Sequence, residues 1–136
     1  MRLSILLALV LPIATPALAA EGTPNELLGA WEVTAVAVED SPVQALVADD
    51  PSYMGAVLEI GADSLVWTKG TDARPIDPAI DNCDADPRFA DNDGSYTITC
   101  GEEGWGPGDG AVLTPKGDDE LTLEWYDGGI LTLKRQ

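Results

Sequence analysis

The strongest constraint in this chain is alternation. Near its end, Leu121, Leu123 and Trp125 alternate with Thr122 and Glu124, and Leu131, Leu133 and Arg135 alternate with Thr132 and Lys134. Asp127-Gly128 lies between the two runs, a dipeptide favoured in two-residue hairpin turns. A period of two places successive side chains on opposite faces of a strand, which suits a sheet with one apolar face. The same period recurs upstream. Segment 30–38 sets Trp31, Val33, Ala35 and Ala37 on one face and Glu32 and Thr34 on the other. Segments 54–60 and 65–69 flank Gly61-Ala62-Asp63-Ser64 as a hairpin, and 95–100 and 111–114 add two more. Seven such segments predict an all-β domain, a single antiparallel up-and-down β-barrel or nearly closed sheet of 7–8 strands.

One short helix is expected between the first two strands, over 42–49. Ser41 can cap it, Pro42 suits its first position, and Gln44 completes a capping box. Val43, Leu46 and Val47 form an apolar stripe at helical spacing, and Pro51 ends the run. Two segments resist assignment. Residues 70–93 are rich in Asp and Pro, and a structureless stretch of that length is uncommon unless functional or stapled. Residues 101–110 read GEEGWGPGDG, a glycine-rich loop around a single large aromatic, Trp105.

The N-terminus reads as an export signal. Arg2 precedes an apolar run from Leu3 to Ile13, and Ala17 and Ala19 form an Ala-x-Ala cleavage pattern. The run falls short of the ~20 residues that span a bilayer, and Pro12 interrupts it. The expectation is a signal peptide over 1–19 and a β-barrel domain over 20–136, periplasmic or secreted. No cysteine follows the apolar run, so a lipid anchor is not expected. The two cysteines, Cys83 and Cys100, then read as a disulfide worth roughly 3 kcal/mol in the chain-entropy model. A zinc or redox pair is the alternative, but the spacing fits no zinc pattern and the chain has no histidine.

Net charge is −17, and loss of residues 1–19 would remove only the positive Arg2. Nucleic acids and anionic membranes call for Lys/Arg patches, so neither is an expected partner. Basic proteins or cations suit such a surface, and so does plain solvation. Asp81, Asp84, Asp86, Asp91 and Asp93 crowd one loop, and Asp91-Asn92-Asp93-Gly94 echoes part of a calcium loop. Placing Gly94 at the sixth position puts Phe89 first and Cys100 twelfth, both wrong for an EF-hand. A solvated acidic turn is the favoured reading, with no metal or other cofactor expected.

Gly29-x-Trp31 at the head of the first strand and Arg135 near the end of the last resemble lipocalins and the wider calycin barrels. The resemblance implies that Trp31 and Arg135 pack together and close one end of an up-and-down barrel. In a closed antiparallel barrel of even strand number, the first strand's start lies beside the last strand's end. The guanidinium would then stack on the indole, worth about 1–2 kcal/mol if partly buried. Seven strands leave the barrel one short, and the missing strand is expected within 70–76. The helix between the first two strands departs from the family pattern. Avidin-like barrels and several bacterial periplasmic inhibitor families begin similarly.

Without histidine or a free thiol, Ser-His-Asp and Cys-His catalysis are excluded, and no Gly-rich phosphate loop carries its lysine. Carboxylates are the plentiful reactive groups, but no spacing singles out a pair. The leading expectation is therefore a non-enzymatic, lipocalin-like binding protein for a small apolar ligand. Its pocket would lie where small inward residues cluster, at Ala35, Ala37 and Ala56, with Leu58 and Trp67 alongside and the helix above. The alternative is a periplasmic inhibitor or interaction protein acting through its loops on a basic secreted hydrolase. Trp105 then either folds over the barrel mouth or is presented as a contact, the first being favoured because an exposed Trp is costly. A carboxylate-based enzyme ranks third. A hollow interior or a filled one separates the first two.

Overall fold

The alternating segments pair with antiparallel neighbours into one curled sheet that forms a half-barrel. The computed structural model describes residues 22–39, 46–108, 110–126 and 128–136. Its strands are β1 (Gly29–Val38), β2 (Val57–Ile60), β3 (Leu65–Lys69), β4 (Pro87–Asn92), β5 (Ser95–Cys100), β6 (Glu103–Gly104), β7 (Ala111–Pro115), β8 (Glu120–Tyr126) and β9 (Gly129–Arg135). The spatial order is β3-β2-β1-β9-β8-β7-β5-β4, with the two-residue β6 paired to β5. First and last strands are therefore neighbours, and Trp31 lies opposite Arg135 in register.

The strand count is nine among the described residues, not seven or eight, and the long segment holds its strand later than expected. Residues 71 and 74 make only an isolated bridge, whereas Pro87–Asn92 forms β4. Too little apolar alternation marks this strand. Only Pro87 and Phe89 are buried, and Arg88, Asp91 and Asn92 make the segment read as loop. Proline is tolerated because it stands first on an edge strand. Asp93 and Gly94, both at positive φ, make the tight turn into β5.

The helix is also elsewhere. Residues 40–45, which carry its expected start, lie outside the described residues, and 46–49 are not helical. Asp49 takes a positive φ of 46° and pairs with β1 instead. Its amide donates to the Val36 carbonyl at 2.9 Å, and its carboxylate accepts the Val36 amide at 3.1 Å. Residues 51–55, the last two of which were expected in a strand, are turn, with Tyr53 buried. The described helix, α1 (Pro78–Asp81), lies between β3 and β4, capped by the Asp77 carboxylate on the Ala79 amide at 3.1 Å.

A bulge corrects the inward face of β1. The register against β9 slips between Val33 and Ala35, so Thr34 is an extra residue. One inserted residue reverses every later side chain. Val36 is consequently buried, Ala35 half-buried and Ala37 exposed, contrary to the expected inward run of alanines.

The sheet ends at β3 and β4, and among the described residues no ladder joins them. Cys83 stands against β3, exchanging backbone bonds with Leu65 at 2.9 and 2.7 Å, and its sulfur is bonded to Cys100 on β5. The disulfide thus ties the two sides of the opening together. Among the described residues no helix is long and apolar enough to cross a membrane.

Candidate functional site

Two differently built ends bound the half-barrel. At the Trp31 end, the Arg135 guanidinium lies 4.2 Å from the Trp31 ring centroid. Its nitrogens donate to the carbonyls of Leu28, Glu26 and Asp118, and the Trp31 indole donates to the Leu27 carbonyl at 2.9 Å. Gly29 permits the approach. It holds φ at +134°, and a Cβ there would stand 2.7 Å from the Arg135 Nη1. The short 3-10 turn Asn25–Leu27 leads into this cap, and the Tyr96 hydroxyl secures it by donating to Glu26. That hydrogen bond, then burial and the Glu26 charge, push the Tyr96 hydroxyl up to about 12.

The Trp105 end is assembled from three loops. Trp105 is 1% exposed and folds inward, its indole donating to the Asp81 carbonyl at 2.9 Å. It meets Trp125 edge-on at 4.6 Å, and Trp125 meets Trp67 likewise at 5.5 Å. Gly106 lets the loop lie on this stack, since a Cβ there would come within 2.8 Å of the Trp125 ring. The Trp125 indole donates to the Tyr53 hydroxyl at 3.1 Å, and Arg74 lies 5.0 Å from the Tyr53 ring centroid. Asp81 is fully buried. It takes both arms of Arg74 at 3.0 and 2.6 Å and the Asp77 amide at 2.8 Å. Burial raises the Tyr53 hydroxyl above its ordinary value, against the opposing pull of Arg74. For Arg74, burial lowers the guanidinium, but the Asp81 hydrogen bond and nearby charges prevail and raise it. Trp67 differs from the other two tryptophans in the stack, because its buried indole N–H has no acceptor among the described residues.

The residues expected to line a ligand pocket do not surround one space. Ala56, Leu58 and Trp67 are buried within one continuous core, while Ala35 and Ala37 lie toward the outside. None of the five lines either of two surface clefts of the half-barrel. One, of about 190 Å³, runs past Glu39, Glu124 and Tyr126. The other, of about 590 Å³, lies between residues 22–25 and the side chains of Phe89, Asp91 and Tyr96. Cys83 and Cys100 are bonded. Among the described residues, no three acidic or cysteine side chains gather as a metal site. Asp81 is engaged by Arg74, Asp86 by Arg88 at 2.9 Å, and Asp91 caps its own turn through the Gly94 amide at 3.1 Å.

Sequence reasoning missed Tyr53, Arg74 and Asp81 as a unit, and Phe89 as a strand residue. The Asp77-Pro78 pair was a readable cap signal. Nothing local marks Asp81 as the buried acid among its neighbours. Comparison of the chain with family models, with curated proteins and with solved structures finds no match.

Proposed function

We propose that this chain is an exported, non-enzymatic interaction protein that works from its outer surface on a basic partner, in the manner of an inhibitor of secreted hydrolases. The filled interior carries this reading. Trp67, Trp105 and Trp125 occupy the space in which a lipocalin-like protein would hold an apolar molecule, and the large inward side chains around them are buried in one cluster. A pocket for such a ligand needs concave space with convergent groups.

Charge supports the choice of partner. Of the basic side chains, Arg74 and Arg88 are in ion pairs and Arg135 is spent on backbone carbonyls, within a chain of net charge −17. A field of that sign steers cationic proteins to the surface. The disulfide is consistent with a non-cytoplasmic location, in keeping with the N-terminal export pattern, which lies outside the described residues. The carboxylate-enzyme reading has one observation of its own, Glu39 and Glu124 on one cleft. Both are exposed, not held in the contrasting environments that separate an acid from a base.

Calorimetric titration against a basic lysozyme-type hydrolase, beside an apolar fluorescent probe, tests the proposal. Saturable binding that weakens with salt, with no probe uptake, is expected. Stoichiometric uptake of the probe without protein binding would return the reading to a ligand carrier.

A further inference from the structure

We infer that the free edge of β4 is a strand-addition site that receives an extended, basic segment of a partner protein; this rests on the interaction-protein reading above.

The phase of the ladder identifies which backbone groups face out. Phe89 stands opposite Ile98, and the Ile98 carbonyl accepts the Trp105 amide at 3.2 Å on the far side of β5. One step beyond the ladder, Gly101 donates to the Asp86 carbonyl at 3.1 Å, so that pair is a bonded one. Bonded and non-bonded pairs alternate in an antiparallel ladder. Arg88, Ala90 and Asn92 therefore turn their backbone groups toward β5. Phe89 and Asp91 turn theirs away, as does the Pro87 carbonyl. Among the described residues, no hydrogen bond reaches the Phe89 or Asp91 backbone from that side. A row of unpaired donors and acceptors of this kind is a template for another strand.

A cleft adjoins the template. The space of about 590 Å³ is lined by Phe89 and Asp91, the two residues with outward-facing amides, by Tyr96 on β5, and by residues 22–25. A strand seated ~4.8 Å from β4 borders this space. Its alternate side chains then meet two unlike surfaces. Buried Phe89 and half-buried Pro24 suit an apolar residue, and exposed Asp91 suits Lys or Arg.

Charge selects the occupant. Asp91 and Asp93 sit at one end of the strand and Asp84 precedes the other, where Asp86 is already paired with Arg88, in a chain of net charge −17. A second copy would bring another chain of net charge −17 against the first, and surfaces of like sign repel. A basic segment gains both the backbone bonds and the charge pairing.

The test uses the full disulfide-bonded protein and a capped decapeptide, Val-Ser-Lys-Ser-Val-Ser-Lys-Ser-Val-Ser, whose valines and lysines succeed one another on a single face, followed by amide hydrogen exchange in NMR. In the free protein the Phe89 and Asp91 amides are expected to exchange quickly, and Ala90 and Asn92 slowly. Saturating peptide should slow Phe89 and Asp91 at least about tenfold and leave Ala90 and Asn92 little changed. Methylating alternate backbone nitrogens of the peptide should weaken binding by a similar factor. Asp91→Asn, with an unchanged melting curve, should weaken it roughly fivefold at low salt. Protection elsewhere, or no peptide binding while the basic hydrolase still binds, overturns the edge site and leaves the interaction reading standing. Failure of both ligands overturns both. Concentration-dependent protection of Phe89 without peptide would assign the edge to a second copy and overturn the proposal.

Discussion

The Trp31 end and the Trp105 end both use an arginine stacked on an aromatic ring, yet they are built oppositely. At the Trp31 end the cation faces carbonyls. Arg135 donates to Leu28, Glu26 and Asp118, and among the described residues no carboxylate shares it. Its acceptors lie in the turn that leads into β1 and in the loop between β7 and β8, on either side of the place where the sheet's first and last strands pair. At the Trp105 end, Arg74 is neutralised by a fully buried Asp81, and that acid also organises the loop around it. The first design seals an end with geometry already present in the sheet. The second holds three separate loops together with one buried charge pair, so much more depends on a single side chain.

The largest effect should therefore follow loss of that acid. Asp81→Ala leaves a partly buried guanidinium unpaired and strips the Asp77 amide of its acceptor. Breaking a buried pair from one side costs about 3–5 kcal/mol, and the lower figure applies because Arg74 keeps 28% exposure. Urea unfolding should record a loss of about 3 kcal/mol, with hydrogen exchange rising first in residues 71–83. Uniform loss of protection at both ends would break the contrast drawn between them.

Arg135→Ala should cost less, about 2 kcal/mol, from the ring contact and the carbonyl bonds together. Arg135→Lys should recover little of it. Three carbonyls converge on a fork of N–H donors, and an ammonium cannot span them in the same geometry. A thermal melt of the lysine variant close to that of the native chain would mean that charge alone, not the fork, closes this end.

The two ends also differ in how far they could be read beforehand. Trp31 and Arg135 stand at recognisable places, the head of the first strand and the tail of the last, and antiparallel closure brings such places together. The cysteines were legible because only two exist. Alternation revealed most strands, since half-buried sheets impose it directly. It failed where another demand outweighed it. β4 is an edge strand with few buried side chains, so its pattern is mostly polar. The Thr34 bulge reverses the face of Ala35 and Ala37 without any local sign in their composition. Tyr53, the Arg74–Asp81 pair and Trp105 converge from three connections far apart in sequence. Their spacing along the chain carries no period, and only tertiary packing brings them together.

Within the Trp105 end, two tryptophans allow a finer comparison. Trp105→Phe and Trp67→Phe remove the same atoms from buried sites. The first also removes a hydrogen bond to the Asp81 carbonyl, while the second removes an N–H that has no acceptor among the described residues. Trp105→Phe should be the more destabilising by about 1–2 kcal/mol in denaturant titration. Equal losses would mean that ring packing dominates and that the Asp81 carbonyl is a bystander.

The smallest effect concerns pH at the Trp31 end. Glu26 holds the Tyr96 hydroxyl protonated up to about 12, against an ordinary value near 10. The folded state binds that proton more tightly than the unfolded chain does. Its contribution to stability is therefore whole below about pH 10 and disappears as pH rises through about 12. Ultraviolet titration of tyrosinate should show Tyr96 ionising late, and Glu26→Gln should return it toward 10. Tyr53 is also raised, by burial at the other end, and should not respond to that substitution. A shift of both tyrosines together would show that the two ends communicate through the sheet. A shift of Tyr96 alone would show that each end is held by its own local chemistry.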